Sequence, residues 1–107
     1  MRRVGQLIGL KPGQVEAYER LHADAWPEVL AMISACNIRN YSIFRYSEQL
    51  FAYFEYIGND FEADMEKMAA DPKTREWWTL TDPMQVPLET RAPGEWWTTM
   101  KEVFHTD

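Results

Sequence analysis

The sequence contains one cysteine, Cys36, so no disulfide can close within the chain. That excludes the small secreted domains that hold a scant core together with several bridges. A lone thiol also makes no cysteine metal site. Its flanks, Ile33, Ser34 and Ala35, suit a buried helical thiol rather than a nucleophile. Basic residues are scarce: 11 Lys and Arg stand against 17 Asp and Glu, for a net charge of −6. A nucleic-acid partner needs a basic patch, and an anionic membrane surface needs positive charge, so neither is expected. No apolar run approaches the ~20 residues of a membrane-spanning helix. Arg2 and Arg3 are not followed by the apolar core of a signal peptide, so a cytoplasmic location is expected. Histidine is nearly absent too. His22 and His105 stand far apart, with no Cys or acid at ligand spacing, so no metal is expected. A nucleophilic serine elbow, a phosphate-binding glycine loop and a dinucleotide fingerprint are all missing.

What is present is apolar and aromatic. Hydrophobic residues make up 46% of 107 residues, enough for a packed core and suited to a single domain spanning 1–107. Five tryptophans serve equally well as core or as platforms for the C–H face of a sugar ring. A neutral small molecule is the ligand class that the charge leaves open.

Periodicity orders the chain. Residues 3–10 read as a strand, with Gly5 and Gly9 on the Leu7 face, where another element can approach closely. After Lys11-Pro12-Gly13, the residues Val15, Tyr18, Leu21 and His22 recur at helical spacing. Pro27 interrupts that pattern. It predicts a helix to about residue 22, a bend, and a second helix from 27 to about 36 with Asp24 as its cap. Residues 38–46 and 50–57 form a predicted antiparallel hairpin. Asn59 or Asp60 is placed to cap a helix over about 61–70 whose apolar face is Phe61, Met65, Met68 and Ala69. A further helix starts near Lys73 and carries Trp77-Trp78. Pro83, Pro87, Pro93 and Gly94 mark 83–95 as a loop, and 96–105 reads as the last strand. The order β, α, β, β, α, β is that of a ferredoxin-like α+β fold, an antiparallel sheet with helices on one face. The uncovered face of so short a chain is expected to meet a second copy, as in a dimeric α/β barrel.

Tyr18 and His22, four apart, share a helical face. A His beside a proline-marked bend can move protons for a ligand at neutral pH, or satisfy a backbone carbonyl; the spacing fits both. Adjacent helical residues point about 100° apart, so Trp77 and Trp78 can divide between core and pocket. Trp96 and Trp97, on a strand, would point to opposite faces. Tyr41 offers a phenol. Tyr53 and Tyr56 are assigned to packing, and Arg39, Arg45 and Arg75 to solvated charge.

These residues resemble the L-rhamnose mutarotases. The matching text is Tyr18-Glu19-Arg20-Leu21-His22, Trp26-Pro27-Glu28, Asn40-Tyr41-Ser42-Ile43-Phe44, Ala70-Asp71, Trp77-Trp78 and Glu102-Val103-Phe104. The resemblance implies a ferredoxin-like fold, a homodimer formed through the sheets, and cofactor-free interconversion of the α and β anomers of a deoxysugar. It implies that His22 is the acid and that Tyr18, Tyr41, Trp77 and Trp78 contact the sugar; the expected step is a proton from His22 to the ring oxygen. Ala23 stands where the family pattern has Asn, and Asp24 where Pro is common, which leaves the choice among L-rhamnose, L-fucose and other sugars open. Two further readings suit small dimers of this fold: a cofactor-independent monooxygenase, and a domain that binds a small ligand without catalysis.

Overall fold

A computed structural model describes all residues, 1–107. The elements are β1 (Arg2–Leu10), α1 (Val15–Ala23), α2 (Pro27–Ala35), β2 (Ile38–Tyr46), β3 (Gln49–Tyr56), α3 (Phe61–Ala70), α4 (Pro72–Thr81), a 3₁₀ turn (Asp82–Met84), β4 (Gln85–Val86) and β5 (Thr98–Met100). All strand pairs are antiparallel, in the order β2-β3-β1. The free edge of β1 is then shared: β4 pairs with Gly9 and Leu10, and β5 with Gly5 to Leu7. The fold is the expected α+β, ferredoxin-like arrangement.

The register fixes the faces, because directly opposed residues in an antiparallel ladder point the same way. Val4, Gln6 and Ile8 stand opposite Phe54, Ala52 and Leu50, so these six share the face under the helices. Ile8 and Leu50 are almost fully buried and pack with Leu10 and Tyr18. Val4, Ile38 and Phe54 form a second cluster, against which Ile33, Phe61, Met65 and Met68 pack. Ala69 stays exposed rather than joining them. The opposite face carries Leu7, Phe44, Phe51, Tyr53, Val86 and Met100, and Phe44 leaves 64% of its surface in solvent.

Local chemistry explains the ends of the helices. Asp60 accepts from the Ala63 amide at 3.1 Å and caps α3 as expected. Asp71 accepts from both the amide and the hydroxyl of Thr74 at 2.9 Å, and Pro72 follows at the first helical position, so α4 starts sharply. Asp24 does not cap α2. Pro27 opens that helix and makes extended Trp26 the residue before it, which leaves Asp24 two positions too early. Gly13 has φ of 83°, a left-handed turn that glycine adopts without strain. At Gly9 a side-chain carbon would lie 3.0 Å from the Val86 carbonyl oxygen, so the glycine admits β4.

Two boundaries differ from those predicted. The last strand is Thr98–Met100 rather than 96–105, and it pairs only with Gly5 to Leu7 of β1. The loop of 83–95 holds a 3₁₀ turn and β4, whose short pairing with β1 gives too little pattern to register in the sequence.

Replacing Leu50 with Ala should lower stability by about 2–5 kcal/mol, the usual effect of emptying a buried leucine site. Urea denaturation would show the midpoint falling with little change in slope. An unmoved midpoint would mean that the core does not rest on the β1–β3 ladder.

Candidate active site

Between the helices and the inner sheet face lies a cavity of about 510 Å³, within the usual size of small-molecule sites. It touches both halves of the core, reaching Tyr18 at one end and Ile38 and Phe54 at the other. Gln6 supplies a polar group from the middle of β1.

Helix α1 brings Tyr18 and His22 to the wall, their rings stacked with centroids 4.1 Å apart. His22 Nδ1 lies 2.9 Å from the Tyr18 carbonyl oxygen. A carbonyl can only accept, so Nδ1 carries the proton and Nε2 keeps its lone pair. Both readings of this histidine therefore hold: it satisfies a backbone carbonyl and lines a cavity. Burial lowers its pKa from 6.5, and the carbonyl contact opposes that shift. The neutral ring is the resting form at neutral pH.

Tyr18 is held from its far end as well. Trp96 Nε1 donates to Gln85 Oε1 at 2.7 Å, and the Gln85 amide nitrogen donates to the Tyr18 hydroxyl oxygen at 3.4 Å. Indole N–H can only donate, which settles which end of the Gln85 amide faces Trp96. The Tyr18 oxygen therefore accepts, and its own proton is free to point at a ligand. Burial raises the Tyr18 pKa far above that of a free phenol, so the group stays protonated.

Tyr41 reaches the cavity through a β-bulge. Arg39 pairs with Glu55 and Ser42 with Tyr53, so Asn40 and Tyr41 together oppose Phe54. Asn40 adopts φ of 52°, a left-handed conformation that Asn tolerates better than most residues. In a regular ladder Tyr41 would lie opposite Tyr53, on the outer face. The bulge turns it inward, 5.5 Å from the Phe54 ring. The residue keeps 38% of its surface accessible, yet burial of its phenol end pushes the pKa up to about 12.

Helix α4 delivers Trp77 and Trp78 to the same cavity. Trp77 is buried, edge-on to both His22 and Trp26 at 5.2 Å, while Trp78 is half-buried. All five predicted site residues thus line one cavity. Trp96 and Trp97 do so too, against the expectation of opposite faces. They precede β5, where no ladder imposes strand alternation. Gln85 and Asp82 also line it and were not foreseen, while Trp26, inside the quoted Trp-Pro-Glu text, packs against Trp77 rather than lining the cavity. No three His, Cys, Asp or Glu side chains converge as a metal site would require. Cys36 is fully buried and its thiol pKa is raised by that burial, which fits the inert role expected of it. Tyr56 is buried and bonded to Asp64, Arg39 spans the carbonyls of Ser34 and Ile38, and Arg45 pairs with Glu19.

Comparison with known proteins adds to this geometry. A family model described as L-rhamnose mutarotase matches residues 3–106. An L-rhamnose mutarotase of Lactiplantibacillus plantarum is 33% identical over 109 aligned residues, covering 100% of both chains. An L-fucose mutarotase of Xanthomonas campestris is 32% identical, over 84% of this chain and 74% of that one. The crystal structure of an L-rhamnose mutarotase from Formosa agariphila superposes with a TM-score of 0.78 at 23% identity, again over 100% of both chains, a likeness of fold.

The His22 ring should titrate below 6.5 in the folded protein. The unfolded chain then binds that proton at higher pH than the folded one, so stability should fall as pH drops from 6.5 through the folded-state value. Imidazole chemical shifts followed against pH by NMR, beside urea midpoints, check both. A His22 midpoint at or above 6.5 would contradict the burial argument.

Proposed function

The chain belongs to the L-rhamnose mutarotase family, an isomerase family that exchanges sugar anomers, and from that premise we propose how this cavity interconverts the α and β forms of L-rhamnose. The observation that carries the reading is the His22 ring, held neutral with Nε2 free, in a cavity walled by aromatic rings and phenols.

A pyranose has an apolar C–H face and a rim of hydroxyls. Trp77 and Trp78 offer the flat apolar surface for that face and for the methyl group of a 6-deoxysugar. Tyr18, its oxygen engaged by Gln85, gives a hydrogen bond to a sugar oxygen, and Tyr41, from β2, gives another. Neither phenol acts as a strong base, because burial holds the proton on both.

Ring opening removes a proton from the anomeric hydroxyl and supplies one to the ring oxygen. The expected step makes His22 the donor to the ring oxygen. Its neutral resting state instead makes it an acceptor first: Nε2 takes the anomeric proton as C1–O5 breaks and the carbonyl forms. Rotation about C1–C2 exposes the other carbonyl face, and the imidazolium returns its proton to the carbonyl oxygen as the ring closes. No redox change and no net proton transfer result. General acid–base catalysis of roughly 10²–10⁴-fold per group suits a reaction that already proceeds in water.

We also propose that a second copy covers the outer sheet face. Its apolar residues, Phe44, Val86 and Met100 among them, make a patch of the kind that marks an interface. No helix of the chain is long and apolar enough to cross a membrane.

The protein should accelerate exchange between the anomers of L-rhamnose, read by saturation-transfer NMR, and His22→Ala should lose about 10² or more of that acceleration. Unaltered exchange in the variant would remove His22 from the mechanism, and unaccelerated exchange with wild type would remove the rhamnose reading. Light scattering should give twice the mass of the chain, and Phe51→Asp, on the outer face, should shift it toward the monomer. A monomeric wild type would refute the dimer.

A further inference from the structure

Ring opening leaves one partner unnamed: the group that gives the ring oxygen its proton while His22 takes the anomeric one. We propose that Asp82, at the end of α4, is that group, a carboxylic acid that donates to the ring oxygen on opening and recovers the proton on closure. The inference rests on the mutarotase reading above.

Asp82 borders the same cavity as His22, Tyr41 and Trp78. It follows Trp78 by four residues, so it sits one turn further along the same helical face. The chain fixes it there. Its amide donates to the Trp78 carbonyl, its carbonyl accepts from the Gln85 amide, and it opens the 3₁₀ turn with Pro83 next. Its backbone is thus tied at both ends, but its carboxylate has no hydrogen bond and no ion pair. The four ion pairs of the protein lie elsewhere. Arg75, which borders an outer cleft with Asp82, is not within pairing distance.

This is a poor place for a carboxylate. It is half-buried, lies at the negative end of a helix, and has no donor to stabilise its charge. Elsewhere in the chain Asp60, Asp64 and Asp71 all have donors, and Asp60 and Asp71 sit at helix N-termini, where the dipole favours them. Burial raises the Asp82 pKa, which favours the protonated form the step requires. A carboxyl shifted toward its protonated form and a neutral imidazole, both lining one cavity, make a pair with complementary roles.

The protons balance. On opening, O1–H passes its proton to His22 Nε2, the O–H electrons form C1=O1, C1–O5 breaks, and O5 takes the proton from the Asp82 carboxyl. After rotation about C1–C2, the Asp82 carboxylate removes the proton from O5, O5 attacks C1, and O1 recovers a proton from the His22 imidazolium. Each group ends as it began.

The test is anomer exchange of L-rhamnose with wild type, Asp82→Asn and Asp82→Ala. Asn keeps the shape and removes the transferable proton, so kcat should fall about 10²–10⁴-fold with KM changed little. Formate added to Asp82→Ala should restore part of kcat, a rescue that lost packing would not show. Asp82→Asn within about twofold of an active wild type overturns the inference and leaves the mutarotase reading standing. A loss expressed in KM, with no rescue by formate, also overturns it. Failure of wild type to accelerate exchange overturns the reading on which both rest.

Discussion

Every layer of this protein is registered on β1. Its eight pairings with β3 set which side chains face the helices, and its other edge receives β4 and β5 on separate stretches. A slip of one residue would carry Val4, Ile8 and Leu10 to the outer face and bring Arg3, Gly5, Leu7 and Gly9 beneath the helices. The core would empty, and Gln6 would leave the cavity. The apolar spacing of one strand therefore positions both the packing and the polar group between its two halves. Gly9 completes the arrangement, since the close approach of β4 is what brings Gln85 beneath Tyr18.

The site is defined less by its aromatic walls than by groups that can face only one way. A backbone carbonyl cannot donate, so it fixes the tautomer of His22. An indole N–H cannot accept, so it fixes the amide of Gln85 and, through it, the direction of the Tyr18 proton. Desolvation then fixes protonation, keeping the imidazole neutral and the phenols intact. These constraints come from fixed partners and not from a ligand, so the tautomer and protonation states of these groups are set in the free protein.

Much of this was legible in the sequence because helices and long strands carry a period. The four-residue step from Tyr18 to His22 gave their shared face, and the pair Trp77-Trp78 was readable once a helix was placed from about Lys73. Short elements were not legible. Two residues of β4 show no alternation, and the assumption of a long last strand sent Trp96 and Trp97 to opposite faces when both line the cavity. Gln85 and Asp82 gave no signal, because their importance lies in what they meet, or fail to meet, across the fold. Asp24 was misassigned because Pro27 decided the helix start by removing a donor, which a search for polar caps does not weigh.

The bulge at Asn40 and Tyr41 has a bearing on inheritance. The strand carries one more residue than its neighbour here, and that residue lets Arg39 and Tyr41, two apart, face opposite sides of the sheet, so orientation is counted rather than encoded in side-chain chemistry. Substitution at nearby positions can drift without disturbing that count. Loss of the Asn40 codon would close the bulge and leave Tyr41 directly opposite Phe54 on the same face, whereas loss of the Tyr41 codon would take the phenol from the cavity wall. The bulge is thus the one place where this strand can shorten by a residue and keep every other side chain on its own face.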